Sequence, residues 1–249
     1  MNSKEIRKIN ESYHKEDKLQ KRIITPKNYT YRVLVGVLDK YIKGKNEILD
    51  LGSGVGTLDF YLASKGNKIV GVDESLIAVD MAKNNSSVLG TDKNITYIQK
   101  NILNYKSEKK FDNVLLFEVI EHLPDDKKAI ILAKSLLRKE GLLFVSTRSI
   151  NAPLNRIGLT KKHDKRVGHI RRYTLEGLEK TLKDLGFKIV YKIKTEGFSK
   201  ELLFSYPFGA PLVRAANKFG IVSDALNFID DLLLKLFGES QVIIVAKKI

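Results

Sequence analysis

Three groups of residues in this 249-residue chain have the types and spacing for chemistry. The first is Glu47–Leu58, EILDLGSGVGTL, where an apolar run leads into Gly52, Gly54 and Gly56. Glycines let the backbone turn sharply and approach a ligand without a Cβ in the way. A helix starting directly after such a loop offers its free amides to an electron-rich group. The spacing is GxGxG, with Thr57 where a dinucleotide fingerprint would place its third glycine, and no Gly-Lys-Ser/Thr ending follows. Both common phosphate-binding loops are therefore argued against. The second group is a pair of carboxylates. Asp73 closes the next apolar run, 21 residues after Gly52, where a carboxylate can accept both hydroxyls of a ribose. Asp50 lies inside the loop strand and needs a polar partner, because an unpaired buried charge is costly.

The third group is Glu118, Glu121 and His122, in the run EVIEH. Spacings of three and four put all three on one face of a helical turn, which Pro124 keeps short. Two carboxylates and an imidazole can bind a divalent cation: oxygen-rich ligation favours Mg²⁺ or Mn²⁺, and the histidine also tolerates Zn²⁺. The plainer reading is that Glu121 and His122 bond loop backbone. His169, in GHIRRYT, either joins the cluster or anchors the helix that follows. His122 or His169 could also serve as a general base, since imidazole titrates near neutrality. His14 and His163 lie in polar runs and read as surface residues.

The elements that must position these groups alternate along the chain. Short apolar runs predict strands over Glu47–Leu51, Lys68–Asp73, Ile95–Gln99, Val114–Phe117, Leu142–Thr147, Lys188–Ile193 and Val242–Ala246. Helical patterns cover Thr57–Ser64, Leu76–Ser86, Asp125–Leu137 and Thr174–Leu185; the last has Thr174 as N-cap and Gly186 as its stop. Such alternation implies an α/β doubly wound, Rossmann-like sheet covered on both faces. Two pieces stand outside the repeat. Residues 1–45 look helical, with Val33, Leu34, Val37, Leu38 and Tyr41 at helix spacing. Residues 197–238, between the last two strands, are apolar and aromatic and too long for an inert connection.

With 44 Lys and Arg against 29 Asp and Glu, the chain carries a net +15, and it has no cysteine. Disulfide scaffolds, cysteine-ligated metals and thiol nucleophiles are excluded. The polar Met1–Lys21 has no apolar stretch of a secretory signal, so a cytoplasmic protein is expected. The charge is localised. Residues 1–45 hold 12 basic against 5 acidic residues, and KKHDKRVGHIRR at 161–172 holds 6 against Asp164. Such clusters recruit phosphate, anionic lipid or nucleic acid.

Taken in order, ILDLGSGVG at 48–56, VGVDES at 70–75, IQKNI at 98–102, FDNVLLFEVIEHL at 111–123 and LLRKEGLLFVSTR at 136–148 resemble a class I S-adenosylmethionine (SAM)-dependent methyltransferase. The resemblance covers roughly residues 45–195 and the final strand. It implies a seven-stranded, mostly parallel sheet with the last strand antiparallel. It implies that Gly52, Gly54 and Gly56 wrap the methionine part of SAM, with Asp50 near its amino group. Asp73 and Glu74 would then lie at the ribose, Asn101 and Ile102 at the adenine, and Phe117 and Glu118 beside the cofactor. Many relatives carry Asp where this chain has Asn101. Residues 1–45 would form a lid, with Tyr29, Tyr31 and Arg32 as contacts.

The acidic–histidine cluster is similar to that of ubiquinone-pathway O-methyltransferases and of small-RNA 2′-O-methyltransferases. The resemblance implies Glu118, Glu121, His122 and His169 as ligands of a metal such as Mg²⁺ that holds the acceptor hydroxyl. The expected activity is methyl transfer to a hydroxyl or carbon of a small, lipid-like or prenylated, anionic acceptor. The apolar 197–238 stretch would form an acceptor pocket, lie on an anionic membrane or cover a homodimer interface. An RNA 2′-O-methyltransferase is the alternative, although no aromatic residues interleave with the basic run as stacking sites would require.

Overall fold

In the computed structural model, residues 20–249 are described. The part of the basic N-terminal segment before residue 20, His14 included, lies outside them. The first element is α1 (Arg32–Tyr41), which buries Leu34, Val35, Val37 and Leu38. The alternating core follows as β1 (Glu47–Leu51), α2 (Thr57–Ser64), β2 (Lys68–Asp73), α3 (Leu76–Val88), β3 (Ile95–Gln99), β4 (Phe111–Phe117), α4 (Asp126–Leu136) and β5 (Leu137–Arg148). Two short helices, α5 (Pro153–Arg156) and α6 (Lys161–Val167), precede α7 (Leu175–Asp184) and β6 (Phe187–Thr195). Then come α8 (Phe198–Ser205), α9 (Gly209–Lys218), α10 (Gly220–Phe237) and β7 (Gln241–Lys248).

The seven strands form one sheet in the order β3-β2-β1-β4-β5-β7-β6. The pairs β1–β2, β1–β4, β2–β3 and β4–β5 are parallel; β7 runs antiparallel to both β5 and β6. This is the doubly wound arrangement expected. Alternate residues of the central strands feed two cores. Leu49, Leu51, Val114, Leu116, Leu143 and Val145 face α4 and α7 residues such as Ile130, Ala133, Leu178 and Leu182. Ile48, Leu115, Phe117 and Phe144 face α1, α2 and α3, including Leu38, Phe60 and Val79. A strand buried on both sides has no polar face, which is why these runs read as continuously apolar.

The first three strands have the bounds expected; the ends of β4 to β7 extend past theirs by up to five residues, most at β5. That strand starts at Leu137 because the polar turn around Glu140 (φ 66°) and Gly141 continues the ladder. Helix starts are set by side-chain caps: Ser75, Asp125 and Thr174 accept from the amides of Ala78, Lys128 and Gly177. Gly186, at φ 76°, stops α7. The 197–238 stretch forms α8–α10. The segment from Gln20 to α1 packs across it: Thr30 and Asn217 exchange hydrogen bonds, and Arg32 pairs with Asp224 at 2.5 Å.

Candidate active site

All the chemistry-bearing residues gather at the carboxyl edge of the parallel strands, where doubly wound sheets take ligands. The glycine loop is shaped by left-handed backbone at Gly52, Gly54 and Gly56 (φ 91°, 52° and 83°). A Cβ on Gly52 would come 2.3 Å from the Val119 side chain, and one on Gly56 would come 2.1 Å from the Tyr97 hydroxyl. Only glycine fits either position. Asp73 laces the loop down. One oxygen accepts from the Gly54 amide at 2.9 Å and the other from the Ser75 amide at 2.8 Å. The Ser53 hydroxyl is buried in the loop without a partner, so the loop presents a polar group as well as backbone to a ligand.

Asp50 is buried, as the sequence implied, and its neighbours were not foreseen. Asp59, from the first turn of α2, is fully buried beside it, with the Tyr97 hydroxyl close by. Burial pushes the Asp50 carboxyl up to about 7, with Asp59 and Asp73 as its polar neighbours. Burial and the Asp50 charge also push the Asp59 carboxyl well above the usual carboxylate range. Two carboxyls this close out of water cannot both ionise. Asp59 was legible as the one acid in the otherwise apolar run TLDFYLA.

After β3, Asn101, expected at the adenine, has both ends of its amide engaged. It donates to Glu74 at 3.0 Å and accepts from the Leu103 amide at 3.0 Å, capping the short 3₁₀ turn Ile102–Asn104. Its oxygen therefore shapes the turn that carries buried Ile102, and its nitrogen holds Glu74 in place.

The acidic–histidine group departs from the single-face expectation. Glu118 takes φ 54° directly after β4, and the chain then forms a tight turn rather than a helix. This aims the Glu118 carboxylate away from the turn and toward Arg148, whose Nε lies 2.7 Å away. Ser146 and Gln241 also donate to it, at 2.8 and 3.0 Å. Burial alone would raise the Glu118 carboxyl, but Arg148, Ser146, His169 and Gln241 together outweigh burial and hold it below the usual range. Arg148 also pairs with Glu196 at 3.0 Å, a second residue with left-handed backbone (φ 55°). Glu118 is thus a structural ion-pair partner, and the expected four-ligand set loses one member.

The other three converge. Ligand atoms of Glu121, His122 and His169 lie within 4.8 Å of one another. The two histidine rings are 4.8 Å apart, centre to centre. One Glu121 oxygen accepts from Thr147 at 2.9 Å; the other, like His122 Nδ1, is buried with no hydrogen-bond partner. Burial and the nearby Glu118 push the Glu121 carboxyl up to about 8. Burial, and then His169, bring His122 down to about 4. Burial also lowers His169. At neutral pH the cluster is an acid and two uncharged imidazoles. The basic run supplies its frame: Asp164 bonds His169 Nδ1 at 2.9 Å and is itself held by Arg172 at 2.6 Å. His163, read as a surface residue, lies over His169 at 5.9 Å. A cavity of about 20 Å³, room for roughly one water, is lined by Arg148, His163, His169, Arg172 and by Glu201, Phe204 and Ser205 of α8. The larger concavity, about 650 Å³, lies over the outer edge of β6 and holds none of these residues.

Residues 26–192 match the family described as a methyltransferase domain. This chain belongs to that family. Its sheet order and antiparallel last strand are those of the class I SAM-dependent methyltransferases. Among curated proteins, the methyltransferase chain is 36% identical over 111 residues to a ubiquinone biosynthesis O-methyltransferase of Coxiella burnetii, covering 44% of this chain and 46% of that protein. It is 33% identical over 107 residues to the protein of the same name from Actinobacillus pleuropneumoniae, covering 41% and 45%. The chain thus spans just under half the length of these relatives.

Solved structures share the fold at lower identity. The [4+2]-cyclase SpnF superposes with a TM-score of 0.66 at 17% identity, covering 87% of this chain and 80% of that one. Phosphoethanolamine N-methyltransferase 2 of Haemonchus contortus, solved with SAM, gives 0.66 at 19% identity, covering 88% and 52%. The magnesium protoporphyrin IX methyltransferase of Synechocystis PCC 6803, solved with S-adenosylhomocysteine, gives 0.57 at 20%, covering 89% and 81%.

Proposed function

We infer that this methyltransferase moves the methyl group of SAM to the oxygen of a hydroxyl on a small, lipid-like acceptor. The observation that carries this reading is the convergence of Glu121, His122 and His169 on the turn that packs Val119 against Gly52, with the His169 imidazole, its pKa lowered by burial, as the group that can take a hydroxyl proton. The names of the curated relatives, O-methyltransferases, support oxygen as the receiving atom.

The SAM site follows from the lacing already described. The loop amides and Ser53 would face the methionine end, Asp50 its ammonium group, and Asp73 with Glu74 the ribose. Arrival of a cation beside Asp50 answers the cost of that buried carboxyl. The sulfonium methyl is already activated, so the residues mainly align the reactants. With SAM bound, the acceptor oxygen would take its methyl group as the carbon–sulfur bond broke, and His169 would take the hydroxyl proton. Asp164, depressed by its bonds to His169 and Arg172 against the effect of burial, is a carboxylate. It therefore keeps the His169 proton on Nδ1, which leaves Nε2 with its lone pair free.

A divalent cation is the alternative occupant of the cluster, replacing the Glu121 proton and the base role of His169, because Glu121 and His122 each bring a buried, unpartnered polar atom. Glu121, His122 and His169 would hold it, and it would stabilise the acceptor oxyanion. With Glu118 withdrawn, the donor set is two nitrogens and one oxygen rather than oxygen-rich, which favours Mn²⁺ or Zn²⁺ over Mg²⁺.

The apolar α8–α10 stretch next to the cavity supports a lipid-like acceptor. The basic run that prompted the RNA alternative is partly internal: Arg172 pairs with Asp164 and Arg171 with Asp126. The test is transfer of labelled methyl from SAM to alkylated phenols and catechols, to a primary amine and to RNA, each with and without EDTA. Label on the phenolic oxygen is expected. Label confined to the amine or to RNA overturns the reading.

A further inference from the structure

Helix α10 is turned inside out. Its buried face carries Ser223, Asn227 and Asp230. Its solvent face carries Ile221, Phe228, Ile229, Leu232 and Leu236, with Ile221 87% and Leu236 74% exposed. These positions share one side of the helix at its 3.6-residue period, a stripe roughly 22 Å long. An ordinary surface helix of a water-soluble protein has the reverse arrangement.

Hydrogen bonds fix the inversion. Asp230 accepts from the Gly197 amide at 2.7 Å, the Ser199 hydroxyl at 2.5 Å and the Lys200 amide at 2.8 Å, and so caps α8. Ser223 donates to the Lys27 carbonyl at 2.8 Å, and Asn227 to the Ser223 carbonyl at 2.7 Å. Rotating α10 to hide its apolar side would break the Asp230 and Ser223 bonds to other segments inside the protein.

The apolar surface continues beyond α10. Phe208 and Leu212 are exposed on and before α9, and Ile157 and Leu159 just before α6. Tyr206 stacks on Phe208 at 5.7 Å and bonds the Leu159 carbonyl; Arg156 bonds the Phe237 carbonyl at 3.2 Å. Residues 156–166 therefore border this surface, and they carry five basic residues against Asp164. Asp164 is neutralised from within by Arg172, while Lys161, Lys162 and Lys165 are exposed. Among the described residues, no helix is long and apolar enough to cross a membrane.

We propose that the outer face of α9 and α10, with the 156–166 rim, docks on an anionic lipid bilayer. The stripe enters the headgroup–acyl boundary, and the lysines meet the lipid phosphates. The rim selects the occupant. In a two-fold pairing with a second copy, the same cationic segment would border both sides of the contact; an anionic surface complements it. The docking stands independently of the methyl-transfer reading.

The test is sedimentation of the full chain with vesicles of phosphatidylcholine alone and of phosphatidylcholine mixed with an equal part of phosphatidylglycerol. Binding to the anionic vesicles at low salt is expected, weakening as salt rises. F228S/L232S should cut the partition coefficient at least ~10-fold. K161E/K162E/K165E should remove the preference for phosphatidylglycerol. Both variants should keep the wild-type circular dichroism and SAM affinity. No binding to anionic vesicles, or binding unchanged in F228S/L232S, overturns the proposal. So does a dimer by light scattering that F228S/L232S dissociates, because the face would then be covered by a second copy.

Discussion

Asp164 Oδ1 lies 2.9 Å from Nδ1 of His169, and the same carboxylate is gripped by Arg172 through Oδ1 at 2.6 Å and Oδ2 at 3.1 Å. A carboxylate behind a histidine fixes its tautomer and ring orientation, and loss of such a partner typically costs about 10–100-fold in activity or metal affinity. Asp164→Asn keeps the shape but removes the charge. We expect methyl transfer to fall by about that factor while the Kd for SAM, measured by calorimetry, stays at the wild-type value. A parallel loss of SAM affinity would show that Asp164 merely holds the fold together.

The Asp50–Asp59 pair predicts proton release on SAM binding. In the free protein, burial holds the Asp50 carboxyl at about 7, above its unfolded value. Folding stability from this group is therefore full at low pH and falls as pH rises toward 7. A bound ammonium or sulfonium reverses the preference, because it favours the carboxylate. SAM affinity should rise with pH up to about neutrality, and calorimetry near pH 6 in buffers of different ionisation enthalpy should show a fraction of a proton released. Asp50→Asn should abolish the release, weaken SAM binding and raise the apo protein's Tm. Proton uptake on binding would contradict the assignment.

Gly56→Ala tests whether the loop's glycines are required by shape. The substitution faces φ 83° and a Tyr97 hydroxyl 2.1 Å from the new Cβ. Left-handed backbone costs a non-glycine residue of order 1–3 kcal/mol, before Tyr97 and Phe60 must move. A lower Tm and a large loss of SAM affinity are expected. Adding Tyr97→Phe should recover part of the Tm, since it removes the nearest atom and leaves the backbone strain.

The elements and the glycine loop were legible because each rests on local chemistry: apolar runs, caps such as Thr174, and a glycine pattern that only a tight turn needs. The EVIEH cluster was legible only in part. Its spacing suggested one helical face, but the left-handed backbone at Glu118 depends on Arg148, thirty residues away, and no local pattern announces that pairing. Asp164 was hidden for the same reason: it is the lone acid in a basic run, and its role appears only when the chain folds back to bring His169 over His122. The inverted face of α10 was invisible in composition, since an apolar stretch does not say which side it turns inward.

Arg148 holds together two glutamates whose backbone and burial would otherwise be unfavourable. Glu118 and Glu196 both have left-handed backbone, Glu196 is buried and Glu118 partly buried around the guanidinium, and Arg148 lies 2.7 and 3.0 Å from them. Their charges keep Arg148 protonated against the opposing effect of burial. Arg148→Met retains the length of the side chain but leaves carboxylates without a counter-charge, a loss typically worth about 3–5 kcal/mol. Glu118, depressed in the native protein, contributes stability above its unfolded value that is lost as pH falls. Without Arg148 its pKa rises instead, and the variant gains stability on acidification. Urea denaturation should therefore show the gap between wild type and variant at its largest near neutral pH and narrower at about pH 4, where unfolded glutamates titrate. A gap independent of pH would mean that Arg148 acts by packing alone.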